Sequence, residues 1–415
     1  MSLKKTRLKA GAMSYAIILS IVVGALCMSL IWITTSYRNT RFSLKNKEKL
    51  VVNLLTGVKA TRTLKSFTEE KLFLINNDSV HIRKENWGLF NYFVVKARKK
   101  GRTLKRSFLS GHEIRNAMPA LYLSNNDKAL KLTGSTKLTG SVFVPNGRVE
   151  RGYIQGKNYE REKLVYGIVN ESEKSLPPVS EDIITKSIDQ LVSFQNEVFL
   201  DQLPFDSIFE FDQPTNRYTQ NIPITIDHSL NGNLVVESKD SIFVSREAKL
   251  ENVILKAPII RFEQGFKGNV QVFAEQKIIL EKDVQLEYPS SICLIDTDKN
   301  FHRSGKAIVE MEEGSSVLGG VLVLSKSPDF RNLVKLKIEN ESTVVGLVYN
   351  QGETMLKGKV IGSLFTKNLF LKMKSSSYEN HLLDAEIDGI SLPDYFLLPS
   401  WMENDESIEK RIKWL

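Results

Sequence analysis

The sequence predicts a mainly β protein: a parallel β-solenoid (β-helix) with a long N-terminal transmembrane helix, a small α+β region and a helical insertion. Three observations predict it. An uncharged apolar stretch lies near the N-terminus, apolar side chains alternate over most of residues 222–371, and the alternating positions of that segment recur at a fixed spacing. Alternation with period two is typical of strands, and a short repeat built from strands is typical of solenoids.

The N-terminal stretch AGAMSYAIILSIVVGALCMSLIWITTSY carries no charged residue between Lys9 and Arg38. About 20 apolar residues suffice to cross a bilayer, so we expect a retained single span at about residues 12–35. The apolar core of a cleaved signal peptide is shorter. Bases flank both ends of the span, and the large C-terminal body favours a cytoplasmic N-terminus. We expect the helix to continue beyond the span, so that it occupies residues 1–63.

The next segment, residues 64–125, is expected to be a small α+β region. Within it, WGLFNYFVVKARKKGRTLKRSFLSG predicts two strands joined by a basic turn at Lys99, Lys100 and Gly101. Seven bases lie between Lys96 and Arg106 and could contact phosphate. The apolar residues before them favour a packed hairpin with a solvated basic face, so we expect no nucleic-acid partner.

The remaining chain divides into four predicted parts. Residues 126–156 alternate and are expected to form the first solenoid coils. Residues 157–221 are expected to be a helical insertion, with a helix capped at Ser180. Residues 222–371 form the main β-solenoid and 372–415 a C-terminal cap, for which a partner-docking motif is the alternative. The apolar face of the predicted helix and the tryptophans of the tail are Ile183, Ile184, Ile188, Leu191, Trp401 and Trp414.

The repeat is most regular between residues 242 and 284. Three apolar positions recur twice at a spacing of 18 residues. They are Ile242, Val244 and Ala248, then Ile260, Phe262 and Phe266, then Ile278, Leu280 and Val284. Further on, MEEGSSVLGG is echoed by IENESTVVG, so that Met311, Val317 and Gly319 correspond to Ile338, Val344 and Gly346. A β-sandwich is the alternative fold, but it needs hairpin turns, and those signals are sparse.

The N-terminus resembles the N-terminal helix of type IV pilins, and more closely that of the large minor pseudopilin of type II secretion systems. The resemblance covers about 60 residues and rests on a short basic leader, Gly11 and the apolar span. It implies processing after Gly11. The sequence departs from the pilin pattern at Ala16, where a glutamate is usual, and a plain signal anchor remains the alternative.

Residues GSVFVPNGRVERGYIQG and LKGKVIGSLFTKNLF resemble bactofilin-like β-helices. As a whole, the chain is similar to uncharacterised single-pass envelope proteins of Bacteroidetes-type bacteria. Both resemblances imply a fold and an envelope location rather than an activity.

Signals for chemistry are sparse. Cys27 and Cys293 are too few for a disulfide framework, and the five histidines lack metal-ligand spacing. The best local candidate for acid–base chemistry is the loop IDTDKNFHRSG, with Asp296, Asp298, His302 and Arg303, which is also typical of an exposed corner. We therefore name no catalytic, metal or cofactor-binding residue.

These observations predict a non-enzymatic scaffold. We expect it in the inner (cytoplasmic) membrane, with its bulk in the periplasm, contacting the lipid bilayer through the N-terminal helix. Protein partners are expected in a pilus-like or secretion-like assembly. The alternative is a solenoid enzyme or binder acting on cell-wall or surface polysaccharide.

Overall fold

The chain folds as a mainly β protein with a long apolar N-terminal helix and one large parallel sheet. The structure is a computed structural model. It describes residues 10–63, 69–73, 78–113, 118–179, 187–297, 307–326, 334–373, 376–393, 395–399 and 408–415. Two compact units are present. The first consists of Met1–Ala60, Lys71–His81 and Val95–Lys105, and the second of Thr61–Glu70, Ile82–Val94 and Arg106–Leu415.

Helix α1 runs from Ala10 to Ala60 without interruption, so the predicted continuation of the helix beyond the apolar stretch is confirmed. A 3-10 turn, Thr61–Thr63, follows it. In the first unit, Leu50 and Leu54 near the end of α1 are buried. A Cβ atom on Gly57 would lie 2.5 Å from Cγ1 of Val80 and 2.7 Å from Cγ1 of Val95, so glycine is what permits this close packing.

A five-stranded sheet follows the helix in sequence. Its strands are β1 (Glu69–Phe73), β2 (Ser79–Trp87), β3 (Phe90–Lys99), β4 (Arg102–Glu113) and, from the C-terminus, β33 (Ile408–Trp414). The strand order is β1-β2-β3-β4-β33. The predicted hairpin is confirmed, because β3 and β4 flank a turn in which Lys100 and Gly101 adopt positive φ angles of 44° and 78°. The end of the predicted cap is a strand that pairs antiparallel with β4.

The next eight strands are short. They are β5 (Leu121–Leu123), β6 (Leu130–Thr133), β7 (Lys137–Thr139), β8 (Val142–Val144), β9 (Val149–Arg151), β10 (Tyr153–Ile154), β11 (Lys157–Asn158) and β12 (Val169–Glu171). Strands β5, β7, β8 and β12 belong to the large parallel sheet, and β6 lies between β9 and β31 (His381–Leu383) in a separate three-stranded sheet. Strands β10 and β11 form a small antiparallel pair.

The other strands of the large sheet come from residues 197–388, which we call the main body. From residue 197 they are β13 (Glu197–Leu200), β14 (Ser207–Phe209), β15 (Thr215–Gln220), β16 (Ile224–Ile226), β17 (Ser229–Gly232), β18 (Leu234–Ser238), β19 (Ser241–Val244), β20 (Lys249–Lys256), β21 (Ile259–Phe262) and β22 (Lys267–Ala274). They continue as β23 (Lys277–Leu280), β24 (Gln285–Asp296), β25 (Ile308–Met311), β26 (Ser316–Ser325), β27 (Lys335–Ile338), β28 (Thr343–Leu356), β29 (Lys359–Lys372), β30 (Ser377–Glu379) and β32 (Glu386–Asp388).

Strands of the main body pair in parallel with strands one repeat away. Ile260 lies opposite Ile242 on one side and Ile278 on the other, which confirms the predicted 18-residue correspondence. The downstream correspondence is also confirmed, because Met311 pairs with Ile338 and Gly319 with Gly346. The parallel register differs from the antiparallel pairing that the alternative sandwich requires.

The apolar residues form two core clusters. The inner cluster contains the repeating row, including Ile260, Phe262 and Ile278, all fully buried. A second cluster covers the opposite side of strands β22, β24, β26, β28 and β29, where Phe273, Cys293 and Tyr349 point. These strands are therefore apolar on both sides over residues such as SICLID, as expected of strands buried on both faces.

Strands β5 and β7 pair with strands far away in sequence. Leu121 lies opposite Leu364 of β29, and Leu138 lies opposite Ile387 of β32. Strand β7, in the predicted first coils at 126–156, and strand β5, in the predicted α+β region at 64–125, thus both lie beside strands near the end of the large sheet. Chain order and spatial order differ here.

The predicted insertion, residues 157–221, contains one helical turn among its described residues, α2 (Ile188–Leu191), and otherwise strands and turns. The cap of that turn is Ser187, whose Oγ accepts a hydrogen bond from the Gln190 amide at 3.3 Å. Ile188 and Leu191 are buried, as predicted. Ser180, Ile183 and Ile184 lie outside the described residues.

Candidate functional site

Helix α1 is the candidate membrane anchor. In the part of the chain that the structure describes, it is the one helix long and apolar enough to cross a membrane, judged by length and composition. Its apolar side chains from Met13 to Ile33 are exposed to the surroundings rather than packed in either core cluster. A surface of this kind is stable when lipid chains cover it. Gly11 and Cys27 are both in this helix.

The predicted acid–base loop is described only at its start. Asp296 is the last residue of β24 and is buried, with 5% of its surface exposed. Asp298, His302 and Arg303, like Trp401, lie outside the described residues. The proposed constellation of acids and base is therefore not tested by the geometry.

Asp296 does belong to a group of carboxylates. Burial raises the pKa of Glu275, and the negative charges of Asp189 and Asp296 raise it further. Lys256 and a hydrogen bond with Thr297 act in the opposite direction. A carboxyl with a raised pKa is the type of group that acts as a general acid. Glu275 carried no distinctive sequence signal, because its neighbours in this group come from distant parts of the chain.

Two bases beside this group are fully engaged. The Arg217 guanidinium donates to Glu197 and to Glu237, with N–O distances of 2.7 Å in each case, and to the carbonyl oxygen of Val192. Lys256 Nζ lies 2.7 Å from Glu237 Oε1 and also pairs with Asp189. Each base bridges two carboxylates, so the arrangement holds strands β13, β15, β18 and β20 to the turn α2.

Metal chemistry receives no support from the described parts of the chain, where no group of three or more His, Cys, Asp or Glu side chains is placed to hold an ion. The Cys293 thiol is completely buried, and burial raises its pKa, which keeps it in the unreactive protonated form.

The edge of the parallel sheet at β13 and β14 is a second candidate site. Among the described strands, β13 pairs with β15 and β14 with β17, and each has an open side. Asn196 accepts a hydrogen bond from Thr215, so the backbone groups of Phe199 face the open side. Phe209 accepts from Asn233, so those of Ile208 do the same.

This edge is apolar and acidic. Phe199 and Ile208 are 69% and 77% exposed. Phe205 stacks on His228 with ring centroids 5.0 Å apart, so the connection between the two strands is held in place. Residues 187–216 contain six acids and no lysine or arginine, in a chain whose formal net charge is +9. The exposed acids among them are Asp189, Asp201, Asp206 and Glu210.

No protein-family model, curated protein or solved structure matches the chain. The candidate sites above therefore rest on their own geometry.

Proposed function

We propose that this protein is a non-enzymatic, membrane-anchored envelope scaffold whose parallel strands form a β-solenoid. One observation carries the solenoid: strands β19, β21 and β23 stack in parallel at an interval of 18 residues, with Ile242, Ile260 and Ile278 in one row. A chain that returns to the same column after each short repeat winds as a coil. Such a body is rigid, because every inner row packs on the rows before and after it.

The anchor is α1, and the proposed location is the inner membrane with the bulk of the chain in the periplasm. Support comes from the exposed apolar surface of α1, which no core cluster covers. The test is extraction of a membrane fraction with alkaline carbonate. The protein should stay in the pellet, whereas release into the supernatant would contradict the anchor.

The scaffold role requires a partner, and the edge at β13 and β14 is the surface that supports one. Its open backbone groups can pair with an added strand, and its acidic side chains favour a basic, extended segment of another envelope protein. A subunit of a pilus-like or secretion-like assembly would use such an edge to join its neighbour.

The partner test compares two matched substitutions in the full-length protein, solubilised in detergent. Ile208→Lys adds a base at the edge, and Ile390→Lys adds one at a residue that is similarly exposed, at 68%. A co-purifying envelope protein with a basic extended segment should be lost with Ile208→Lys and retained with Ile390→Lys. Equal recovery with both variants would contradict the assignment of this edge.

A second candidate function, action on cell-wall or surface polysaccharide, is favoured by one observation. Burial raises the pKa of Glu275, and the nearby charges of Asp189 and Asp296 raise it further. Glycoside hydrolysis uses a carboxylic acid of raised pKa beside a second carboxylate. Loss of an envelope-polysaccharide activity in both Glu275→Gln and Asp296→Asn would favour this function over the scaffold.

A further inference from the structure

The bases that follow the apolar stretch of α1 are joined by bases from the β3–β4 turn. Between residues 10 and 60, α1 contains a single acid, Glu48, and no base before Arg38. Arg38, Arg41 and Lys45 are exposed on the helix. Lys100 and Arg102, at the turn between β3 and β4, are also exposed. All of these residues belong to the first unit.

Two contacts bring the turn to this part of the helix. Arg102 Nη1 donates to Ser43 Oγ at 2.9 Å, and Lys100 Nζ lies 4.8 Å from the centroid of the Phe42 ring. On the helix itself, the guanidinium of Arg41 lies 5.3 Å from the centroid of Tyr37. We call Arg38, Arg41, Lys45, Lys100 and Arg102 the basic collar.

The collar lies where a bilayer surface would be. The predicted span ends near Thr35, and Phe42 is seven residues further along α1, which is about 10 Å at 1.5 Å per residue. The headgroup layer is about 5–8 Å thick, and the Debye length at physiological ionic strength is about 8 Å. The charges of the collar therefore lie close enough to the lipid phosphates to attract them despite screening by salt. Trp32 and Tyr37, both exposed, stand at the depth where interfacial aromatics are found.

The contacts leave the collar able to bind. A guanidinium has five N–H donors, and the bond to Ser43 uses one of those on Arg102. Lys99, the remaining base of the turn, differs because its Nζ lies 2.6 Å from a buried carboxylate oxygen of Asp78. The fold thus separates one structural base from two exposed bases in the same turn.

We propose that the basic collar binds the headgroups of anionic phospholipids and concentrates these lipids around α1. This inference rests on the proposed membrane anchor. It adds that the β3–β4 turn is a second lipid-contacting element, from a different part of the chain. The acyl chains of a phospholipid cover the apolar part of α1 and so hold the headgroup beside the collar. Soluble anionic polymers, such as nucleic acid, have no such apolar part.

The experiment uses the full-length chain reconstituted in vesicles of phosphatidylcholine with phosphatidylglycerol. A donor dye is placed on Thr103→Cys, an exposed position of the turn, in a Cys27→Ser background; Cys293 is buried and does not react. Energy transfer is measured to trace acyl-labelled phosphatidylglycerol and, separately, to acyl-labelled phosphatidylcholine. The ratio of the two reports the local enrichment of the anionic lipid.

We expect enrichment at low salt, and a loss of about fivefold for each collar base removed, which is about 1 kcal/mol per base. The double variant Lys100→Gln, Arg102→Gln should reduce the ratio strongly, and 500 mM salt should do the same. The matched control, Lys239→Gln with Lys267→Gln, removes two exposed bases of the second unit and should leave the ratio unchanged.

Carbonate extraction of the same variants separates the two proposals. If every variant stays in the membrane and the double variant keeps the wild-type ratio, the collar proposal is overturned and the anchor stands. If the wild-type chain is extracted by carbonate, the anchor and the collar both fail. Tighter binding of a soluble oligonucleotide than of phosphatidylglycerol vesicles would overturn the collar proposal in favour of nucleic acid.

Discussion

Ile260 shows how one side chain holds several repeats together. It is fully buried between Ile242 and Ile278. Ile260→Asp places an unpaired charge in the inner cluster, so we expect the free energy of unfolding to fall by more than about 4 kcal/mol. Urea unfolding followed by circular dichroism measures the change.

The control for Ile260 is the next residue. Arg261 is exposed and pairs with Glu281, a surface ion pair. Arg261→Gln should cost less than about 1 kcal/mol. Equal effects of the two substitutions would show that the inward and outward positions are assigned in the wrong phase.

Asp78 gives the first unit a defined dependence on pH. The hydrogen bond from Lys99 lowers the pKa of the Asp78 carboxyl, and Asn53 Nδ2 donates a second hydrogen bond at 3.0 Å. A carboxyl whose pKa is lowered by folding stabilises the protein fully above its unfolded pKa of about 4. That contribution is lost as the pH falls through the lower folded value.

We therefore expect the thermal unfolding midpoint of the wild type, measured in detergent, to decrease as the pH is lowered below about 4. In Asp78→Asn the midpoint should decrease less over the same pH range. The variant should be less stable at neutral pH, because Lys99 then loses a charged partner. Asp240→Asn, at an exposed aspartate, is the control and should follow the wild type. If the midpoint of Asp78→Asn decreased below pH 4 as much as that of the wild type, Asp78 would not be the source of the pH dependence.

At the scale of elements, strands β26, β28 and β29 each contain a glycine with a positive φ angle. Gly319, Gly346 and Gly362 pair with one another across the three strands. Gly346 has a φ of +128°, and a Cβ atom on it would lie 1.9 Å from the carbonyl oxygen of Gly319. A backbone oxygen cannot move away as a flexible side chain can.

Gly346→Ala should therefore destabilise the protein by more than about 3 kcal/mol, measured by urea unfolding. Gly265→Ala is the matched control. It also has a positive φ, +80°, but a Cβ atom there would meet no heavy atom within 4 Å. We expect about 1–2 kcal/mol for this backbone strain alone. If Gly265→Ala were the more destabilising of the two, the close approach of neighbouring strands would not be the reason for glycine at positions 319, 346 and 362.

The sequence was informative about these elements wherever one side of a strand faces the inner cluster. Alternation and the 18-residue spacing identified Ile242, Ile260 and Ile278, because inward residues must match their neighbours in the stack. The second cluster was missed. Its signal was present in SICLID and GVLVLS, where apolar residues are continuous rather than alternating, as in strands buried on both sides.

The residues that pack over the second apolar cluster could not be predicted in the same way. Gln271 is buried, donates to the carbonyl oxygen of Trp87 at 2.7 Å and accepts from the Leu89 amide at 2.8 Å. Trp87 in turn packs against Phe211, with centroids 5.0 Å apart. These contacts join residues more than 100 positions apart, and local periodicity contains no information about such pairs. The carboxylates around Glu275 were missed for the same reason.

At the scale of the whole molecule, strand pairing crosses the predicted domain boundaries. β29 pairs with β5, and β33 pairs with β4. A fragment of residues 222–371 would lose these partners and expose the second apolar cluster. We expect it to aggregate in size-exclusion chromatography, whereas a fragment of residues 45–415, which keeps the buried end of α1, should be soluble and unfold cooperatively. A monomeric, cooperative 222–371 fragment would show that the large sheet folds without its distant strands.

The mature N-terminus decides between a fixed scaffold and a filament subunit. Removal of the leader after Gly11 would free the apolar helix to leave the bilayer and pack in a filament. A retained leader keeps Lys4, Lys5, Arg7 and Lys9, and moving such a charge to the bilayer centre costs about 2.5–3.5 kcal/mol. Ala16 stands where the pilin pattern has a glutamate, which favours the retained leader.

We therefore expect mass spectrometry of the purified protein to find an N-terminal peptide beginning at Met1 or Ser2, unchanged in Gly11→Val. A methylated peptide beginning at Ala12, lost in Gly11→Val, would instead establish pilin-like processing, and the chain would then be a mobile subunit.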